Sequence, residues 1–131
     1  MSLASSKLPD AVKDEDAAHP VAATWRPTLC EIVHAIVHGD LSVGTAIEGV
    51  EPVSSETAEH IKANVATYGA SLVELPEETW ETSVAQWMGT HWEVLVDLWT
   101  REEGRSDLVL HLFVVEVGGA PRFSVHLVYV P

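Results

Sequence analysis

The sequence predicts an α+β fold in which two N-terminal helices pack on one face of an antiparallel meander sheet of three to four strands. Apolar residues recur at helical spacing in two segments of the amino half, and from His91 onward they alternate with a period of two. The chain has 131 residues, of which 47% are apolar, so it can bury a single core without disulfides or a structural metal.

The two helices are predicted from their apolar stripes and from the residues at their ends. The first should begin near Pro27 and end at Gly39, because proline suits the first helical position and glycine suits the left-handed cap. Ser54 or Ser55 should cap the second helix, which ends at Gly69. The stripes comprise Leu29, Ile32, Val33, Ile36 and Val37 in the first helix and Ala58, Ile61, Val65 and Tyr68 in the second.

Three strands are predicted in the carboxyl half, over residues 91–99, 107–117 and 122–130. Their alternation assigns one set of side chains to the face that the helices cover: Trp92, Val94, Val96, Leu98, Leu108, Leu110, Leu112, Val114, Phe123, Val125, Leu127 and Tyr129. The two helices then have an apolar surface to pack against.

The segment 82–88 fits either a helix or a strand. Trp80, Val84 and Trp87 recur at helical spacing, yet the Gly89-Thr90 pair suits a two-residue hairpin loop. We favour the hairpin, because it pairs Trp87 with Trp92 and cross-strand aromatic pairs stabilise a sheet by up to about 1 kcal/mol.

The second face of the sheet is predicted to be too apolar to be left in water. It carries Leu95, Trp99, Val109, Phe113, Val115, Val117, Val128 and Val130. With both helices on the opposite face, only the N-terminal segment and the loop over residues 40–52 remain to shield it. A large exposed apolar patch is unusual in a soluble monomer, so the sequence predicts a homodimer formed through this face.

Residues 1–23 are predicted to form a flexible acidic tail, and residues 24–131 a single domain. The tail is rich in Ala, Ser, Asp, Lys and Pro and contains no aromatic residue, since the first one in the chain is Trp25. It therefore offers little apolar surface to offset the entropy of ordering. If it is ordered, the surface of the domain or a neighbouring chain should hold it.

The chain is strongly acidic, with 20 Asp and Glu against 7 Lys and Arg and a formal net charge of −13 at pH 7. This charge disfavours nucleic acid and anionic membranes as partners and favours a basic protein surface. Cys30 is the single cysteine, so no intramolecular disulfide can form and a cytoplasmic location is expected. The first ten residues lack the pattern of a secretory signal, and no apolar run is long enough to span a membrane.

The run DLWTREEGRSDL, residues 97–108, resembles the signature segment of a family of uncharacterised bacterial domains of about one hundred residues. The likeness has the pattern DLWT-x-EEGRSDL and extends more weakly over about residues 25–131. It implies a bacterial α+β domain of unknown function, and it implies no catalytic residues.

One group of residues on the second face could bind a metal ion. A hairpin centred on Gly104 sets Asp97 opposite His111, and the next turn puts His126 diagonal to His111. Two imidazoles and a carboxylate are ligands that zinc and similar ions accept. The alternative is a polar patch that is solvated or lies in an interface.

The outward side of the first helix carries a second candidate group, Glu31, His34 and His38. Histidines four residues apart are a known zinc spacing, but the HExxH pattern is missing, so a solvated face is favoured. Cys30 and His34 are also four residues apart and could form a thiolate pair. A lone cysteine beside an apolar stripe is more often a packing residue.

The loop that follows the first of the three long strands concentrates charge. Trp99, Arg101, Arg105 and Asp107 are candidate binding residues there, for a partner's loop or a small anion. Turn formation explains the same residues, because Gly104 can supply a positive φ and Asp107 can satisfy backbone groups.

Together these patterns favour a non-enzymatic interaction or dimerisation module, or an immunity-type protein that binds and neutralises a basic protein. The sequence has no motif for a nucleotide, a serine hydrolase or a zinc ribbon, so no cofactor is expected and enzymatic activity is not favoured. The alternative is a divalent-metal-binding protein or metal-dependent hydrolase that uses Asp97, His111 and His126.

Overall fold

The computed structural model describes residues 8–40 and 47–131, and within these ranges it contains two α-helices and one antiparallel sheet of five strands. The elements are β1 (His19–Pro20), α1 (Arg26–Val37), α2 (Ser55–Tyr68), β2 (Val84–Trp87), β3 (Trp92–Thr100), β4 (Gly104–Val117) and β5 (Ala120–Tyr129), with 3-10 turns at Ala23–Trp25 and Glu77–Glu81. The strands lie in chain order, which makes the sheet a meander. The predicted α+β class is confirmed, whereas the expected three to four strands become five in the described ranges.

The additional strand comes from the N-terminal segment. In β1, His19 lies opposite Ala85 of β2 and Pro20 lies opposite Val84. The next residues, 21–22, are buried in the core. A strand of two residues is too short to show a period of two, so alternation in the sequence could not reveal it. Residues 19–22, which were predicted to belong to a tail, are therefore packed against the domain.

The residues before β1 also contact the domain. Val12 and Lys13 do so on the side of the sheet that the helices cover, whereas the carbonyl of Glu15 accepts a hydrogen bond of 3.1 Å from the side chain of Gln86, which faces the other side. Trp92 Nε1 donates a hydrogen bond of 3.0 Å to the carbonyl oxygen of Val12. Lys13 Nζ lies 5.0 Å from the ring centroid of Trp87 and 2.9 Å from a carboxylate oxygen of Glu116. These contacts hold the segment against the β2–β3 hairpin.

The hairpin predicted at Gly89-Thr90 is confirmed. Trp87 pairs with Trp92, and their ring centroids lie 4.6 Å apart at 60°. Gly89 has a φ of 93°, which a residue with a side chain rarely adopts, and the Met88 N–H donates to the carbonyl of His91 at 2.7 Å. The segment 82–88 is thus a strand over Val84–Trp87.

Both helices end close to the predicted residues. Ser54 caps α2 by accepting a hydrogen bond from the Thr57 N–H at 3.1 Å, and Gly69 ends it in the left-handed conformation with a φ of 83°. The core contains side chains from both helices and from the inner face of the sheet, including Trp25, Leu29, Ile32, Val33, Ile61, Trp92, Val94, Val96, Leu98, Leu110, Leu112, Val114 and Phe123. Neither described helix combines the length and the apolar character needed to cross a membrane.

A β-bulge interrupts β5 at His126. Val125 lies opposite Leu112, and Leu127 lies opposite His111. The two residues of β5 are two positions apart whereas their partners on β4 are adjacent, so His126 is an extra residue in β5. Because side chains alternate with a period of two, one inserted residue reverses the facing of every residue that follows it.

Because of this bulge, the faces predicted for Val128 and Tyr129 at the end of β5 are wrong. Val128 was predicted on the second face, but it pairs with Leu110 and is fully buried in the core. Tyr129 was predicted on the helix-covered face, but it pairs with Val109 on the other face. The prediction was wrong here because a bulge leaves no mark on the pattern of apolar residues.

The predicted loop over residues 40–52 lies partly outside the described residues. Its described end runs along β5, where the Phe123 N–H donates to the carbonyl of Gly49 and the Glu51 N–H donates to the carbonyl of Phe123, both at 2.8 Å. This stretch therefore covers part of the edge of the sheet.

Candidate functional site

The face of the sheet opposite the helices, here called the outer face, carries most of the residues singled out in the sequence. Its members include Val84 and Gln86 of β2, Glu93, Leu95, Asp97 and Trp99 of β3, Val109, His111, Phe113, Val115 and Val117 of β4, and Arg122, Ser124, His126, Leu127 and Tyr129 of β5. Most of them are partly exposed, and Val117 is 59% exposed. The face thus combines apolar and imidazole side chains at the surface of the domain.

Phe113 lies at the centre of a group of three imidazole rings on this face. Its ring centroid is 5.2 Å from that of His111, 5.4 Å from that of His126 and 5.5 Å from that of His91. The rings of His111 and His126 are 5.0 Å apart. The structure therefore brings together two of the three residues of the predicted metal group.

His111 is the most enclosed member of this group. Its Nδ1 lies 3.1 Å from the hydroxyl of Tyr129, and its Nε2 lies 3.5 Å from a carboxylate oxygen of Glu93. That second distance is long for a hydrogen bond, and Nε2 has no hydrogen-bond partner among the described residues. Burial, helped by the neighbouring charge of His126 and opposed by that of Glu93, lowers the pKa of His111. A neutral imidazole is favoured at this position.

Asp97 lies apart from the two histidines. The strand register sets it opposite Val109 instead of His111. Its Oδ2 accepts a hydrogen bond of 2.5 Å from the hydroxyl of Thr82. The carboxylate is thereby directed toward the 3-10 turn before β2, and the predicted pairing of Asp97 with His111 is wrong.

An irregularity near Ser106 explains the different register. Thr100 pairs with Gly104, so the turn occupies residues 101–103 instead of being centred on Gly104. The pairing of β3 with β4 also shifts between Trp99 and Asp97. Ser106 is buried there, and its hydroxyl donates to the carbonyl of Leu98 at 2.8 Å and accepts from the N–H of Leu108 at 3.1 Å. The hydroxyl of Ser106 thus replaces backbone hydrogen bonds between β3 and β4. No turn residue in the sequence indicates this substitution of one kind of hydrogen bond for another.

The four candidate binding residues of this loop are spread over its two sides. Trp99 and Arg105 are cross-strand neighbours, Arg101 is exposed in the turn, and Asp107 is exposed on β4. The Asp107 N–H donates to the hydroxyl of Tyr68 at 3.1 Å.

Neighbouring residues of the loop also contact the end of α2. The Tyr68 hydroxyl donates to Glu103 at 2.7 Å, and the Ser71 N–H donates to Glu102 at 2.8 Å. The hydrogen bond from Ser71 holds the pKa of Glu102 below its usual value. These contacts anchor the loop to the end of α2.

A second cluster joins α1 to the segment that follows α2. His34 Nδ1 lies 2.8 Å from Oε2 of Glu74, and His38 Nε2 lies 3.4 Å from the same oxygen. The two imidazole centroids are 4.3 Å apart. The sequence had indicated Glu31 as the acidic neighbour of these histidines. Glu74 is 40 residues from His34 in the chain, so no local pattern could have identified it.

Cys30 lies one turn before His34 on α1. It is partly buried and packs against the core. Burial, together with the negative charges of Glu77 and Glu74, raises the pKa of its thiol. The thiol therefore stays protonated at neutral pH, which makes it a poor nucleophile and supports the packing role.

These features define a small α+β domain with a helix-covered sheet face and an imidazole-rich outer face. Residues 33–131 match the family model of a domain of unknown function, DUF7668. Since the match covers more than half of the chain, the chain belongs to this family, which confirms the resemblance to a family of uncharacterised domains. No curated protein and no solved structure matches the chain.

Proposed function

We propose that the chain is a non-enzymatic module that self-associates through the outer face, with a second copy of itself as the partner. The observation that carries this proposal is the group of partly exposed side chains Leu95, Phe113 and Tyr129, which surround His111 on that face. The side chains of both helices pack on the opposite face, and the contacts of Val12 and Lys13 lie there as well. Apolar side chains of this kind gain free energy when a partner removes them from water.

The negative charge of the chain favours contact between two copies through the outer face over contact through their other surfaces. With a net charge of −13, two copies repel each other wherever carboxylates face carboxylates. Near the centre of the outer face the side chain of His111 is neutral at pH 7, because burial lowers its pKa, and Glu93 is a carboxylate that borders it. A two-fold axis through this centre brings the same low-charge patch together from both molecules.

The edges of the sheet are less suited to association than its outer face. At the β5 edge, the Asn64 side chain donates to the carbonyl of Val128 at 2.9 Å, and Val50 forms a bridge to Phe123. At the other edge, β1 is two residues long and contains Pro20, which lacks an N–H. Contact between faces therefore needs less rearrangement than strand addition.

The outer face is also large enough for a specific interface. Long strands about 4.8 Å apart, with a rise of about 3.3 Å per residue, present a face on the order of 500 Å² in each molecule. Two such faces bury on the order of 1,000 Å² together, which is about the lower limit for a specific complex. We therefore expect a dimer of moderate affinity.

Light scattering behind a sizing column tests the proposal. At micromolar concentration the chain should elute with about twice its mass of 14.3 kDa. Added salt should strengthen the dimer, because it screens repulsion between acidic surfaces and leaves apolar contacts intact. A monomer at every concentration up to the high micromolar range would refute self-association.

A pair of matched variants locates the interface. Leu95→Glu introduces a carboxylate on the outer face and should yield a folded monomer, because two copies would then oppose these charges in a desolvated contact. Leu8→Glu makes the same change at a residue that is 64% exposed and lies outside the outer face, so it should leave the dimer intact. Equal dimerisation of the two variants would show that the interface lies elsewhere.

A further inference from the structure

His34, His38 and Glu74 direct three possible metal ligands toward one point at the surface. One ligand atom from each residue lies within 4.8 Å of the other two. Within the described ranges, this is the group of three or more His, Cys, Asp or Glu side chains that meets such a distance requirement. All three are exposed, with side-chain exposures between 54% and 61%, so an ion can reach them from solvent.

The backbones that carry these ligands are held in place by the core. His34 and His38 lie one turn apart on α1, whose Ile32 and Val33 are fully buried. Glu74 follows Val73, whose N–H donates to the carbonyl of Trp99 at 3.0 Å. Supports of this kind fix the backbone positions from which the three ligand side chains project.

The distances suit a tetrahedral ion. Ligand atoms that lie about 2.0 to 2.2 Å from a tetrahedral zinc ion are separated from one another by about 3.3 Å. The two distances from Glu74 Oε2, 2.8 Å to His34 and 3.4 Å to His38, are close to this value. Small rotations of exposed side chains are enough to bring all three atoms to bonding distance.

We propose that His34, His38 and Glu74 form a binding site for a divalent transition-metal ion, for which Zn²⁺ is the best probe. Two imidazoles and one carboxylate match the ligand preference of zinc, whereas Mg²⁺ and Ca²⁺ prefer sites made of oxygen atoms alone. Three protein ligands leave a fourth tetrahedral position to water.

The two imidazoles converge on one carboxylate oxygen, an arrangement that a metal ion can use. Both imidazoles approach the same oxygen of Glu74, and their ring centroids lie 4.3 Å apart. A divalent cation between the rings and the carboxylate would bind all three groups at once. The acidic character of the whole chain further favours a cation at its surface.

Calorimetric titration of the full chain with zinc chloride tests the site. We expect one ion per chain and no binding of Mg²⁺ under the same conditions. Each of His34→Gln, His38→Gln and Glu74→Gln should weaken zinc binding by about tenfold or more, since even residues that only support a ligand contribute about that much. The exposed position of all three lets the variants fold, which circular dichroism can verify.

Two control variants separate this site from other histidines. His60→Gln removes an exposed histidine of α2, and His126→Gln removes one from the outer face. Both should bind zinc as the unmodified chain does. The proposal is overturned if the chain binds no zinc, if the three ligand variants bind as tightly as the unmodified chain, or if His126→Gln is the variant that loses binding.

Discussion

The imidazole Nδ1 of His111 lies 3.1 Å from the phenolic oxygen of Tyr129, on the neighbouring strand. The two side chains share the outer face because the extra residue His126 reverses the alternation of β5 just before Tyr129. Tyr129, Phe113 and Glu93 lie around the ring of His111, whose side chain is only 14% exposed. The bulge in β5 thus determines the surroundings of a titratable side chain, that of His111.

The enclosure of His111 predicts a loss of stability in mild acid. Because its pKa in the folded chain lies below the unfolded value of about 6.5, the unfolded chain binds more protons as the pH falls. The contribution is complete above about pH 6.5 and is lost as the pH decreases toward the folded-state pKa. Glu93, His126 and Tyr129 are the titratable groups that face the ring, and of these Glu93 opposes the shift and His126 reinforces it.

Urea unfolding at about pH 7.5 and about pH 5.5 measures this effect. His111→Gln should flatten the pH dependence, since glutamine keeps a polar group near Tyr129 but cannot be protonated. His60→Gln, at an exposed position on α2, serves as the control and should retain the slope of the unmodified chain. If both variants show the same slope, His111 does not cause the acid sensitivity.

Burial predicts unequal tolerance of substitution at two valines near the end of β5. Val128 is completely buried, whereas Val130, two residues further on, is 52% exposed. Val128→Ala should lower the free energy of unfolding by about 2 kcal/mol, because it leaves a cavity in the core. Val130→Ala should change it by less than about 0.5 kcal/mol. Chemical denaturation compares the two, and equal costs would contradict the buried position described for Val128.

The cap of α2 offers a comparison of two adjacent serines. Ser54 accepts the hydrogen bond from the Thr57 N–H, while Ser55 is the first residue inside the helix. Ser54→Ala should cost about 1 kcal/mol, and Ser55→Ala should cost much less because alanine is a good helix former. Thermal unfolding followed by the helical circular dichroism signal measures both. A larger loss for Ser55→Ala would mean that the helix begins one residue later.

Elements with local signals were the ones that the sequence could predict. Ser54 and Gly69 mark the ends of α2, and Gly89 marks the β2–β3 hairpin, because caps and tight turns depend on single residues. The bulge at His126 and the two-residue strand β1 have no such signals. They arise from packing across the sheet, which alternation along one strand does not encode.

The candidate sites show the same division. The sequence placed His126 diagonal to His111, and their rings do lie 5.0 Å apart. It also paired Asp97 with His111, which failed because the register near Ser106 depends on a buried hydroxyl. The approach of Glu74 to His34 required the tertiary structure, since the two residues are 40 positions apart.

The N-terminal segment should contribute to stability through the indole of Trp92. This side chain is 1% exposed, and its N–H donates to the carbonyl of Val12 at 3.0 Å. Removal of residues 1–16 deletes this acceptor and also the ammonium group of Lys13, which lies over the rings of Trp87 and Trp92. A hydrogen bond of this kind contributes about 0.5 to 1.5 kcal/mol, and an exposed cation–π contact about 0.5 to 1 kcal/mol.

A double-mutant cycle isolates the contribution of that hydrogen bond. The truncation is made in the unmodified chain and in a Trp92→Phe background, and the free energy of unfolding is measured by urea denaturation in all four proteins. The substitution keeps an aromatic ring for Lys13 but removes the N–H, so in that background the truncation breaks no hydrogen bond at this position. We therefore expect the truncation to cost about 1 kcal/mol less in the Trp92→Phe background than in the unmodified chain. An equal cost in both backgrounds would show that the segment stabilises the domain through other contacts and that the bond to Val12 contributes nothing measurable.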